Sequence, residues 1–264
     1  MTILAIGDIC GESGLRAACG LIRPLKRAYG ADLCVANGEN ADVTGIRPEQ
    51  AQALYDAGAD VVTLGNHAFR RRQIIPAIED NGWLIRPANY SPRVPGAGHC
   101  ILTTGTGRRL CVVNLLGRLG CEWNADSPFT VMENILSQKK ADLYVVDLHA
   151  EATSEKNAFA RHFDGRVSVV FGTHTHVQTS DECVLPQGTG FITDLGMTGA
   201  IDSVLGIKIE QSVNLFLGDL SVRLETPPGP ARLEGAVFEV DEKTGKCVKA
   251  ERIRVLENDI QRGR

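Results

Sequence analysis

Five apolar, strand-like runs in this chain each end in side chains that can bind a cation. Asp8 follows the run at 2–6, Glu39 and Asn40 the run at 32–36, and Asn66 and His67 the run at 60–64. His149 follows 143–148, and His174 and His176 follow 167–171. Carboxylate, carboxamide and imidazole are the donor set of hard to borderline divalent ions such as Mn, Fe, Co, Zn or Mg. Apart from Cys10, no cysteine stands at these run ends, which argues against a structural tetrahedral zinc site. With His67 left aside, seven donors are too many for one catalytic ion and about right for two that share a carboxylate. If the backbone stays extended through Gly172-Thr173-His174-Thr175-His176, both histidines point the same way, because strand side chains repeat every two residues. Each residue also has a plainer reading. Asp8 and Asn40 could cap the helices that follow them, Asn66 after Gly65 is an ordinary turn pair, and a histidine at a strand end can simply be solvated. What points to a shared site is the repetition at five run ends.

The elements that must position these residues alternate between the two periods. After the first run, Leu15, Ala18, Cys19, Ile22 and Leu25 predict a helix over 14–29, which Pro24 is expected to kink or split. Arg47-Pro48-Glu49-Gln50 opens a second helix that Gly58 closes, and 70–80 reads as a third. This β-α-β-α rhythm implies a parallel, doubly covered sheet, in which chemistry collects beyond the carboxyl ends of the strands. Shorter strands are predicted over 84–116, then a loop with Trp123 and Pro128, and helices near 129–139, 154–163 and 207–217. A Pro-rich loop (Pro227, Pro228, Pro230) leads to a hairpin over 231–256 that turns at 242–246. No repeat or interdomain linker interrupts the pattern, so a single domain over 1–264 is expected.

Composition excludes several functions. The 264 residues are 43% hydrophobic with a formal charge of -4, which gives ample core and no general attraction to nucleic acid or anionic membrane. Only 5% are aromatic, so no stacking platform for long nucleic acid is expected. No apolar run reaches membrane-spanning length, and with a strand beginning at residue 2 no signal peptide is expected. The eight cysteines are scattered without a C-x-x-C pair, which favours free thiols and a cytoplasmic location. Arg70-Arg71-Arg72 could steer phosphate or simply begin a solvated helix.

Gly7-Asp8, Asn37-Gly38-Glu39-Asn40, Gly65-Asn66-His67, His149 and Gly172-Thr173-His174-Thr175-His176 resemble the ordered motifs of the calcineurin-like metallophosphoesterase superfamily. Within it, the chain is similar along essentially its whole length to the bacterial YmdB-like branch, most clearly at 147–156, 172–178 and 192–199. Cys10 stands where the wider superfamily has a histidine, and Glu39, with Asn40 beside it, stands where the superfamily has a bridging Asp. Both departures agree with the branch.

The resemblance implies a four-layer α/β/β/α sandwich of the calcineurin-like metallophosphoesterase type with a binuclear centre. Asp8, Glu39 and His176 would hold one ion; Glu39, Asn40, Asn66, His149 and His174 would hold the other, with Glu39 bridging. Fe or Mn is the expected metal, with Zn, Co or Mg as alternatives. His67 is the expected general acid and Cys10 an inert neighbour, while Asp147, Glu151 and Asp194 are candidates to orient the imidazoles. The implied activity is hydrolysis of small phosphodiesters, above all cyclic nucleotides such as 2′,3′-cyclic AMP. The alternatives are a phosphomonoesterase, or a metal-binding regulatory protein that acts through a partner. Either a monomer or a homo-oligomer is compatible with the sequence.

Overall fold

The computed structural model describes residues 1–120, 124–219, 221–257 and 259; Trp123, expected in the loop before Pro128, lies outside them, as does Cys121. Alternation within the strands decides how the layers stack. In β1 (Thr2–Ile6), Ile3 and Ala5 face one side and Leu4 and Ile6 the other, and all four are fully buried. Both faces of the strand must therefore be covered. The first sheet also contains β2 (Asp8–Ile9), β3 (Leu33–Asn37), β4 (Val61–Thr63) and β5 (Leu84–Ile85), together with three strands from later in the chain. The second sheet runs in the order β10-β11-β9-β8-β7-β6: β6 (His99–Thr103), β7 (Arg109–Leu116), β8 (Leu143–His149), β9 (Val169–Thr173), β10 (Cys183–Val184) and β11 (Gly190–Ile192). β12 (Met197–Ala200), β13 (Ala231–Asp241) and β14 (Lys246–Leu256) return to the first sheet.

Three apolar layers separate the elements. Leu4, Ile6, Cys34, Ala36 and Val62 meet α1 (Gly11–Tyr29), α2 (Pro48–Asp56) and α3 (Ile75–Asp80) on the outside of the first sheet. Ile3, Val35, Val61, Val112, Val145, Phe171 and Phe238 fill the space between the sheets. Val113, Val146 and Val170 meet Met132 of α4 (Pro128–Ser137) and Phe159 of α5 (Thr153–His162) outside the second. The result is the expected four-layer α/β/β/α sandwich. Each of the larger side chains among them, Val, Leu, Ile, Phe or Met, contributes about 1.5–3 kcal/mol when fully buried.

Several sequence expectations are corrected in detail. The first sheet is doubly covered, by helices on one face and the second sheet on the other, but it is not wholly parallel, since β13 runs antiparallel to β1, β12 and β14. α1 runs unbroken through Pro24, because Leu21, Ile22 and Leu25 anchor the helix in the outer core on either side of it. The helix expected over 70–80 forms only from Ile75, after a 3-10 turn at Arg72–Ile74, with Pro76 in its first turn, where a missing N–H costs nothing. The hairpin over 231–256 forms, and its first strand also pairs antiparallel with β1. The seven described cysteines are free, and among the described residues no helix is long and apolar enough to cross a membrane.

What positions the site is a change of chemistry along the inward faces. Leu33 and Val35 are followed at the same period by Asn37, Val61 by Thr63, Leu143 and Val145 by Asp147 and His149, and Val169 and Phe171 by Thr173. The apolar layer between the sheets thus ends in a buried polar one at the carboxyl ends of the central strands.

Candidate metal centre

Asp147 is the hub of that polar layer. It is fully buried and accepts hydrogen bonds from Thr63 Oγ1 at 2.5 Å, Thr173 Oγ1 at 2.7 Å and Asn37 Nδ2 at 3.0 Å, so one carboxylate ties the two sheets together. Asn37 uses its own oxygen to accept the Glu39 N–H at 3.1 Å, which fixes the turn that delivers Glu39. The next turn passes so close that a Cβ on Gly65 would overlap the Glu39 carboxylate and the His149 ring, so only glycine fits there.

Above the hub the expected donors converge. Glu39, His149 and His174 each offer one ligand atom, all within 4.8 Å of one another. Glu39 Oε1 lies 3.1 Å from His149 Nε2, which is 3.0 Å from His174 Nδ1 and 3.1 Å from Asn66 Oδ1. Asp8 and His176 complete the other side. Asp8 Oδ2 accepts the His174 N–H at 3.0 Å, while Oδ1 is buried without a hydrogen-bond partner and lies 3.8 Å from His176 Nε2. Asn40 reaches three neighbours: its Nδ2 is 3.1 Å from His176 Nε2 and 3.0 Å from Glu39 Oε1, and its Oδ1 is 2.9 Å from His67 Nδ1. A buried, partnerless carboxylate oxygen facing imidazole nitrogens is the arrangement a cation would satisfy.

Each histidine has its other nitrogen occupied. Thr173 Oγ1, which donates to Asp147, accepts from His149 Nδ1 at 2.8 Å and turns Nε2 toward the cluster. Glu151 is 3.2 Å from His174 Nε2, which turns Nδ1 inward, and the Leu205 carbonyl accepts from His176 Nδ1 at 2.9 Å. In all three the remaining nitrogen faces the cluster. The backbone under two of them is not extended, contrary to the strand reading of the His-x-His motif. β9 ends at Thr173, and His174 (φ 99°) and His176 (φ 62°) lie in the left-handed region, at a cost of about 1–3 kcal/mol each.

Charge follows the same geometry. Burial opposes ionisation of Glu39, but His149 and His67 beside it hold the carboxyl well below the usual range. Burial likewise opposes a charged His149, yet Glu39, Asp8 and Asp147 push it up to about 9. His174 is driven down to about 3 by burial and by the neighbouring charge of His149. Burial raises Asp8, and it pushes the Cys10 thiol up to about 12 with help from Asp8 and Glu39. A proton on His149 thus balances carboxylates that a divalent cation could balance instead.

All eight expected residues come together, and Cys10 lines the same cleft. Of the candidate orienting residues, Asp147 acts on His149 through Thr173, Glu151 touches His174, and Asp194 holds Thr175 between the two histidines. Arg71 is ion-paired with Asp42 at 2.7 Å. Thr173, Thr63, Asn37, Lys156 and the Leu205 carbonyl were missed. The first three carry a legible signal, a polar residue in the inward register at a strand end.

Two sheets sandwiched between helices, with a cation-type cluster at their carboxyl ends, define a metallophosphoesterase-like protein. A crystal structure of a novel phosphatase from Mycoplasma pneumoniae superimposes with a TM-score of 0.91 at 34% identity, covering 97% of this chain and 93% of the other. A hypothetical protein from Thermus thermophilus does so with a TM-score of 0.90 at 39% identity, covering 97% and 99%. The chain belongs to the family described as YmdB-like protein, which matches residues 4–253. A relative from Bacillus subtilis (strain 168), the 2′,3′-cyclic-nucleotide 2′-phosphodiesterase, is 40% identical over 263 residues, 98% of this chain and 99% of that one.

Proposed function

We propose that this protein hydrolyses small phosphodiesters, 2′,3′-cyclic nucleotides in particular, at a site for two cations. As a member of its family the chain is a phosphodiesterase or phosphatase. The observation that carries the finer reading is the convergence of Glu39, His149 and His174 beside the partnerless oxygen of Asp8. Asp8, Glu39 and His176 would hold one ion; Glu39, Asn40, Asn66, His149 and His174 would hold the other. The all-oxygen-and-nitrogen set suits iron or manganese, with zinc, cobalt or magnesium as alternatives. Two such ions neutralise phosphoryl oxygens and make water nucleophilic near neutral pH.

The chain's own residues do the rest. Glu39 supplies negative charge to both positions from a fully buried carboxylate. His67 keeps Nδ1 on Asn40 Oδ1, which leaves Nε2 as the atom able to hold a proton and deliver it to the departing oxygen. Val43, Leu205, Ile207 and Leu224 wall the cleft of about 290 Å³ beside these donors. Such a wall suits the sugar and base of a single nucleotide. The free thiols of the seven described cysteines suit a reducing, cytoplasmic setting.

The test is metal analysis of the purified protein alongside hydrolysis of 2′,3′-cyclic AMP, bis-p-nitrophenyl phosphate and p-nitrophenyl phosphate. The proposal expects bound metal and preference for the two diesters. Faster turnover of the monoester would make it a phosphomonoesterase. Bound metal with no turnover of any ester would favour a regulatory role through a partner.

A further inference from the structure

The loop that carries His174 and His176 is held from behind by buried charge, and we propose that the Lys156–Asp194 ion pair fixes both histidines in their cation-binding positions. The inference rests on reading those histidines as ligands. It adds Lys156 as a positioning residue acting through Asp194, and neither of the two occupies a ligand position. Lys156, on α5, is fully buried and donates to Asp194 Oδ2 at 2.7 Å. The same oxygen accepts from the Thr175 N–H at 3.2 Å and from its hydroxyl at 2.8 Å, while Oδ1 accepts from the Gly196 N–H at 2.9 Å. Thr175 is the residue between the two left-handed histidines, so the anchor lies at the point about which both would relax. Across the loop, Thr179 closes the grip: its hydroxyl accepts the Asp194 N–H at 2.9 Å, and its own N–H donates to the Asp194 carbonyl at 3.1 Å.

The sequence makes room for this arrangement. A Cβ on Gly172 would meet Lys156 Cδ at 2.8 Å and overlap the Thr193 carbonyl, so the strand gives way to the lysine stem. A lysine is almost never fully buried unless paired. Apolar replacement of a buried pair is often neutral or stabilising, so stability alone does not account for this one. What an ionised Asp194 provides is a charge-assisted acceptor, roughly twice as strong as a neutral one, aimed at Thr175. Strained conformations persist only where their surroundings over-determine them, and these two residues supply that constraint.

The test compares the parent with Lys156→Met/Asp194→Asn, which removes both charges without leaving one unpaired, and with Thr175→Val, which deletes only the hydroxyl bond. Three quantities are measured: Mn²⁺ affinity by calorimetry, hydrogen exchange of the Thr175 amide after chelation, and Tm. The double variant should melt within a few degrees of the parent, exchange Thr175 faster, and bind Mn²⁺ about 10–100-fold more weakly. Thr175→Val should move the same way by less. A folded double variant with parental Thr175 exchange and parental Mn²⁺ affinity would overturn the proposal. If the double variant does not fold, Thr175→Val decides alone, and parental values of both quantities would overturn it. A parent that binds no Mn²⁺ would sink the ligand reading of the histidines, whereas the exchange comparison would still decide whether the pair holds the loop.

Discussion

The two sheets bring different chemistry to the cleft and hold it in different ways. The first delivers Asp8 from β2 and Glu39, Asn40 and Asn66 from turns after its strands, and backbone N–H groups steady the carboxylates: His67 N–H on Glu39 Oε2 at 3.1 Å and His174 N–H on Asp8 Oδ2 at 3.0 Å. The second delivers three imidazoles, each with a partner on the nitrogen that faces away from the cluster. The groups themselves dictate the contrast. A carboxylate offers two equivalent oxygens, so holding it in place is enough. An imidazole has two inequivalent nitrogens, and something must decide which one stays bare. The first sheet therefore sets the charge of the site, and the second sets its direction.

That division can be broken at its charged end. Glu39→Gln keeps shape and removes the shared charge, so at least one cation per chain and nearly all activity should be lost while circular dichroism reports an unchanged fold. Metal content and turnover equal to the parent's would show that charge from the first sheet is not what holds the ions. His67→Ala should keep the full metal content and slow esters with poor leaving groups, such as nucleotide 2′ or 3′ oxygens, by about 10²–10⁴-fold. Release of p-nitrophenolate, which needs little protonation, should fall far less. Equal slowing of both esters, or lost metal, would make His67 a donor or positioning group instead.

The directional half is tested at Thr173. Thr173→Val removes the acceptor that selects the His149 tautomer, and cation affinity measured by calorimetry should drop about 10–100-fold. An unchanged affinity would mean that direction comes from packing and not from the hydrogen bond. The smallest effect is expected at Cys10, whose thiol burial keeps protonated. Cys10→Ser should leave metal content and rate within a few-fold of the parent, and loss of one ion would make the thiolate a donor.

Much of this was legible from the chain because strand ends and donor types coincide five times in one reading direction. Asp8, Glu39, Asn66 and His149 could be placed by that rule alone. The conformation of His-x-His could not, since the motif looks like more strand, and only the folded loop shows the backbone leaving the extended region at His174. The Leu205 carbonyl was invisible for a different reason. It acts through the backbone from 29 residues away, and its side chain gives no sign of it. Pro76 was legible and passed over, as it marks a helix start inside what looked like one continuous helix over 70–80. Asn37, Thr63 and Thr173 were readable as polar residues in an apolar register, a pattern that points to a supporting layer beneath a site.

The position of β13 has a consequence for how the molecule assembles. β1, β3 and β4 are neighbours joined by α1 and α2, so they can pair early, but the other edge of β1 is taken by β13, with Thr2 opposite Glu239. Until that distant strand docks, β1 presents an unpaired apolar edge, a place where nascent chains stick to one another. The contacts that build the centre are equally long in sequence: Asp8 to His174 spans 166 residues and Asn37 to Asp147 spans 110. Such topology folds slowly, because loop closure precedes reward. A chain made only as far as Asp147 would carry both carboxylates that the first sheet brings to the cleft, Asp8 and Glu39, and none of the three imidazoles. At the proposed centre, cation binding would therefore be a late event that stabilises the finished sandwich and gives no foothold to its intermediates.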